Sequence, residues 1–166
     1  MTTSYEVRMA SHLANRRTVL SALLVLPSAE IVQAPAVQAQ TSRTLPPLAQ
    51  PQEPTKAGFL ARARALREQA VKEGDQAYGA VVVCNGTIVG EGRNYVVLES
   101  DPTAHAELLA VRDAARRLNR RDLSDCEVYS TATPCPMCQG ALYWARIRRY
   151  HNEATPADGV APRLSC

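Results

Sequence analysis

Large rings are scarce in this chain: Phe, Trp and Tyr together make up 5 % of its 166 residues, with a single Phe and a single Trp. A core built without them has to come from Ala, Val and Leu, and the 46 % of apolar residues is enough for that. Excess charge is also in short supply. A net charge of +3 allows nucleic-acid binding without arguing for it. No apolar run approaches the about 20 residues that a bilayer span needs, so no membrane partner is expected. No internal repeat divides the chain, and its length suits one domain better than two.

Five cysteines are an odd number, so at least one stays outside any intramolecular disulfide. Cys135 and Cys138 form a C-x-x-C pair, which reads as a metal or redox site. Cys84, Cys126 and Cys166 are isolated, and Cys84 and Cys126 are expected as small core residues in strands.

The first third is of different material. Arg16-Arg17 precedes the short apolar run TVLSALLVL, which Pro27 closes, and Val37 and Ala39 have the spacing of a cleavage site. This is the layout of a secretory signal over 1–39, and the paired arginines resemble a twin-arginine export signal. A periplasmic or exported protein is the expectation, with the cytoplasm as the alternative. Residues 40–55, rich in Pro and Gln, read as a linker with little to bury, and the domain is expected over 56–166.

Within that domain Phe59, Ala63, Leu66 and Ala70 recur at helical spacing, and Gly74 ends the helix. Ala80 to Cys84 and Thr87 to Gly90 flank Asn85-Gly86, a strong hairpin signal because both turn residues need positive φ. A second helix is expected after Asp101-Pro102-Thr103, capped by Asp101 or Thr103. Its inner stripe would be Ala104, Leu108, Val111, Ala115 and Leu118, with Arg112, Arg116 and Arg117 outside. Glu127 to Thr131 reads as a third strand, Pro136 to Arg146 as a third helix and Ile147 to His151 as a fourth strand. The order implies an α/β fold in three layers, α/β/α, with helices on both faces of a mixed sheet.

His105, Cys135 and Cys138 are the candidate metal ligands. Imidazole and thiolate suit Zn²⁺, and three protein ligands leave the fourth tetrahedral position to water, as in a catalytic zinc. Glu107 is the candidate proton carrier. On a helix wheel it points away from His105, so both reach one ion only if the metal lies off the end of the helix. The pattern H-x-E … P-C-x-x-C is the general signature of zinc deaminases. It stands here as His105-Ala106-Glu107 and Pro134-Cys135-Pro136-Met137-Cys138.

With DPTAHAELLAVR, GAVVV…NGTIVGEGRN and PCPMCQGALYWARIRR, the chain resembles the cytidine and deoxycytidylate deaminase superfamily over roughly residues 56–152. Within it, the likeness is to the branch of guanine deaminases and tRNA adenosine deaminases, and ALYWARI looks more like the guanine enzymes. The resemblance implies a cytidine-deaminase-like fold, bound Zn²⁺ and hydrolytic removal of an exocyclic amine from a nucleobase or nucleoside, of guanine-like purine or cytosine type. In that reaction Glu107 would shuttle the proton, while Asn94 and the Ala106 backbone N–H would contact the base. It also implies a homodimer or larger homo-oligomer, with tRNA as an alternative substrate. Where many relatives carry Glu before the Pro-Cys, this chain has Thr133. Guanine deaminases continue past the fourth strand into segments that cover the base. This chain stops at Cys166, so a fold short at the C-terminus, without that lid, is expected. A thiol–disulfide oxidoreductase using Cys135 and Cys138, or a structural zinc with His151 as fourth ligand, are the rival readings.

Overall fold

The computed structural model describes residues 45–163. The export signal expected over 1–39 and Cys166 lie outside the described residues. The elements run α1 (Lys56–Lys72), β1 (Gly79–Cys84), β2 (Thr87–Arg93), α2 (Ala106–Arg117), β3 (Cys126–Ser130), α3 (Pro136–Trp144) and β4 (Arg149–His151). The sheet has the strand order β2-β1-β3-β4. β1 pairs antiparallel with both β2 and β3, and β4 lies parallel to β3, so the sheet is mixed.

Alternation along β1 makes two cores. Ala80, Val82 and Cys84 face α2 and α3, in one cluster with Ala110, Val128, Leu142 and Ile147. Val81 and Val83 face α1 and join Phe59, Leu60, Leu66 and Tyr129. Every residue of β1 is buried, as expected for a strand covered on both sides. This is the three-layer arrangement read from the sequence.

Local signals act where they were read. Gly74 takes φ +92° just past the end of α1; the cap at the other end, Thr55 accepting from Gly58 N, was not read from the sequence. Asn85 and Gly86 both have positive φ, at 50° and 74°, as a type I′ hairpin requires.

Helix α2 departs from its reading in two ways. Asp101 does not cap it; its Oδ1 accepts from Thr103 N and Thr103 Oγ in a turn of its own, and His105 is the N-cap. Its innermost line is Ala106, Ala110, Val111 and Ala114, whereas Leu108, Ala115 and Leu118 are only half-buried. The cause lies in β2. Cβ atoms on Gly90 and Gly92 would overlap the backbone of Ala110 and Ala106, so strand and helix meet at a distance that admits Gly and Ala and excludes Leu. Arg117, expected outside in solvent, is held by Asp113 at 2.8 Å and donates to Pro46 O at 2.6 Å.

Residues 45–55 contain no helix or strand, as their composition implies, but the stretch is docked rather than free. Gln50 bonds both Ile88 N and Ile88 O through its side chain, at 2.8 and 2.9 Å, imitating a neighbouring strand on the β2 edge. Leu48 packs on the α1-side core.

Cys84 and Cys126 are buried in strands, but they are not free: they form a disulfide. Each sits directly opposite the other in the β1–β3 register, with Cα atoms 4.3 Å apart. The pairing joins strands that are not consecutive in the chain, which is why isolated cysteines in the sequence gave no sign of it.

Candidate functional site

Two helix N-termini converge where α2 and α3 leave the sheet. His105, extended at φ −72° and ψ 145°, is the N-cap of α2. Cys135, extended at φ −68° and ψ 170°, is the N-cap of α3, with Pro136 in the first turn, where a missing N–H does no harm. Glu107 is the second residue of α2 and Cys138 the third of α3. The positive ends of both helices therefore face one small volume, which favours thiolates and a carboxylate there.

The side chains meet as the spacing required. Cys135 Sγ lies 3.6 Å from Cys138 Sγ, and His105 Nδ1 is 3.7 Å from each sulfur. A tetrahedral zinc with Zn–S of about 2.3 Å and Zn–N of about 2.0–2.1 Å needs about 3.8 Å between sulfurs and about 3.6 Å between sulfur and nitrogen. The observed triangle fits such an ion. Among the described residues no fourth His, Cys, Asp or Glu joins this group. His151 sits elsewhere, 2.9 Å from Glu127 Oε2 and stacked on Tyr129.

Glu107 is 5 % exposed and spans the space beside the triangle. Its Oε1 accepts from Ser130 Oγ at 2.9 Å, and its Oε2 is 3.7 Å from Cys138 Sγ. Ser130 in turn accepts from Ala132 N at 3.3 Å, so its hydroxyl proton is directed at Glu107. The sequence reading missed Ser130. The signal was there: a small hydroxyl on the inward face of the strand that runs into Pro134-Cys135. Burial, then the nearby Glu107 and Cys135, push the Cys138 thiol well above its ordinary pKa. A divalent cation reverses that balance, because it deprotonates a coordinating thiol outright.

The other readings land as follows. Asn94 is fully buried just past β2, with Tyr95 N donating to Ala104 O at 3.0 Å. Its Oδ1 has no hydrogen-bond partner, and leaving such a buried acceptor empty costs about 1–3 kcal/mol. Ala106 is fully buried at the first position of α2. Thr133, in the place of the relatives' Glu, accepts from Asn152 Nδ2 at 3.1 Å. Trp144 is 77 % exposed at the end of α3, edge-on to Tyr143.

Comparison with known proteins decides the family. Residues 54–152 match the family described as "Cytidine and deoxycytidylate deaminase zinc-binding region". The chain belongs to this deaminase family. It is 48 % identical over 103 residues to a guanine deaminase of Bacillus subtilis, a match covering 61 % of this chain and 66 % of that protein. It is 46 % identical over 87 residues to a tRNA-specific adenosine deaminase of Aquifex aeolicus, covering 51 % of this chain and 58 % of that one. The X-ray structure of the Bacillus subtilis guanine deaminase superposes with a TM-score of 0.54 at 45 % identity, over 57 % of this chain and 62 % of that one. The chain thus spans somewhat under two thirds of the length of the relatives it matches. The matched stretch contains His105, Glu107, Cys135 and Cys138, the four side chains that the fold brings together.

Proposed function

We propose that the protein is a zinc-dependent hydrolytic deaminase acting on a nucleobase or nucleoside, with a guanine-like purine favoured. The observation that carries this reading is the triangle of His105 Nδ1, Cys135 Sγ and Cys138 Sγ beside the buried Glu107 carboxylate. In this reading the three hold the ion, which when bound supplies the acidity that makes water a nucleophile at neutral pH. Glu107 takes the proton of that water at Oε2, while Ser130 holds its other oxygen in place. It returns that proton to the ring nitrogen next to the amine-bearing carbon and then relays the proton of the added hydroxyl to the amine, so the C–N bond breaks, ammonia leaves and the carbon keeps its oxygen as a carbonyl. Asn94 Oδ1 and the Ala106 N–H orient the ring. A dithiol oxidoreductase has no use for His105 or Glu107 in this arrangement. Ammonia release from a panel of bases, nucleosides and a tRNA anticodon stem, with one zinc per chain, is the test. Release from the anticodon stem alone would move the assignment to the adenosine-editing side, for which the Aquifex relative speaks. Full activity of Glu107→Ala would end the reading.

Two further proposals concern setting. The Cys84–Cys126 disulfide, with Arg16-Arg17 ahead of an apolar run, supports action in an oxidising, exported compartment. N-terminal sequencing of the mature protein tests it, with a start near Gln40 expected and an intact Met1 contrary. Exposed Tyr143 and Trp144 on α3 support a homo-oligomer, which sedimentation tests.

A further inference from the structure

Asn94 is held from one side only. Its Nδ2 donates to Asp75 Oδ1 at 2.9 Å and to Gln76 Oε1 at 3.2 Å, while its Oδ1 is buried and unpartnered. An amide can turn end for end, and Gln76, itself an amide, could turn with it. Asp75 cannot. Its carboxylate is 8 % exposed and fully committed as an acceptor, taking Gln76 N at 2.7 Å on Oδ1 and Val97 N and Leu98 N at 3.0 and 2.9 Å on Oδ2. Burial opposes the charge, but the bonds from Leu98, Asn94, Gln76 and Val97 outweigh it and keep the carboxyl below its ordinary pKa.

The position of Asn94 follows from the strand. Gly90 lies against Ala110 and Ala114, and Gly92 against Ala106 and Ala110. Two strand residues thus match four helix residues, since both advance about 6 Å. The next step along that line is Asn94, opposite the start of α2, where His105 and Glu107 stand.

We infer that Asp75 is a positioning residue that sets substrate polarity: it locks the Asn94 amide so that the carbonyl faces the base, and the site therefore selects a ring that offers an N–H. This rests on the reading of Asn94 as a base contact. Free guanine, adenine and cytosine each carry a ring N–H. In adenosine and cytidine glycosylation has replaced it, and the remaining base N–H groups belong to the departing amine. The site accordingly prefers adenine and cytosine to their nucleosides, whereas guanosine keeps a ring N–H at N1.

The reversal is simple to build. In Asp75→Asn the new carboxamide oxygen keeps two backbone donors by serving Val97 N and Leu98 N, at the loss of Gln76 N alone, which turns its NH₂ toward Asn94. Asn94 then flips to accept, and presents its own NH₂ to the base. In the double variant Asp75→Asn/Asn94→Asp the carboxylate at position 94 accepts from the new amide at position 75 and again shows an acceptor to the ring. The experiment measures kcat/KM on adenine against adenosine and on cytosine against cytidine, the pairs in which glycosylation removes the ring N–H, and equilibrium binding of the same pairs to the inactive Glu107→Gln variant, with zinc content and Tm as checks on folding. The wild-type protein should favour the free base. Asp75→Asn should lower that preference by about 10- to 100-fold, mainly through KM, and the double variant should recover most of it. A preference unchanged in a folded, zinc-loaded Asp75→Asn overturns the inference, as does a double variant no more selective than the single one. A wild-type protein that binds and deaminates no base, or an Asn94→Ala variant with full activity and selectivity, overturns the inference together with the reading beneath it. Loss in Asn94→Ala without loss in Asp75→Asn removes Asp75 alone.

Discussion

Two pairs of cysteines lie on the α2–α3 side of the sheet, and the backbone alone decides what each does. Cys84 and Cys126 come from adjacent antiparallel strands, directly opposite each other, and the pleat brings their sulfurs into bond contact. Cys135 and Cys138 come from one helix start, three residues apart, with sulfurs 3.6 Å apart and an imidazole equally near both. Directly opposed strand positions favour a covalent bond. One turn of helix N-terminus beside a second favours a shared ion, because the dipoles and the third ligand stabilise thiolates over a bridge. Sulfur chemistry here follows from geometry, not from residue type.

Breaking the second pair should have the largest effect. Cys138→Ala is expected to take the zinc content from about one per chain to near zero and to abolish ammonia release. The same measurement on Cys84→Ala/Cys126→Ala should find the metal and the activity intact. Zinc loss in both would show that the pairs are not independent. Glu107→Gln separates binding from chemistry at the same centre. It should keep its zinc and lose about 10²- to 10⁴-fold in kcat, since a carboxamide cannot take the proton.

The first pair acts on stability instead. Closing a loop across a sequence separation of 42 residues restricts the unfolded chain by about 4 kcal/mol. Cys84→Ala/Cys126→Ala should lose about that much in chemical denaturation, and a reductant should do the same to the wild-type protein without removing metal. Gly92→Ala probes the link between the two. The new Cβ would meet the Ala106 carbonyl and push the first turn of α2 outward. Overpacking of this kind costs about 1–3 kcal/mol. Because His105 and Glu107 ride on that turn, activity should fall while the disulfide, at the far ends of β1 and β3, stays formed.

The metal triangle was legible in the sequence because each half is local. C-x-x-C at a helix start and H-x-E at another carry their geometry within a few residues, and only the meeting of the two helices needed the fold. The hairpin and α1 were legible for the same reason. The disulfide was not, since a β1–β3 register is a long-range fact. Nor was the alanine line of α2: hydrophobicity points to Leu108 and Leu118, but the close approach at Gly90 and Gly92 belongs to another segment. Ser130 and Asp75 were missed alike, as buried polar residues whose partners lie 23 and 19 positions away.

The smallest effect should come from the charges around the disulfide. Arg120 pairs with Asp125 at 2.8 Å and passes 3.9 Å from Cys126 Sγ, which suggests a guard over the bond. Both partners are about 40 % exposed, however, and pairs of that kind contribute about 0–1 kcal/mol. The bond itself is shielded by burial, with Cys126 at 2 % and Cys84 at 7 % exposure. A reductant therefore reaches it only when the strands part, and the rate of reduction follows that opening. Arg120→Ala should shift the unfolding midpoint by no more than a surface pair allows, and even less in high salt. Its reduction rate should match the wild type within that same margin, whereas rapid reduction at unchanged stability would assign the guard to the guanidinium after all.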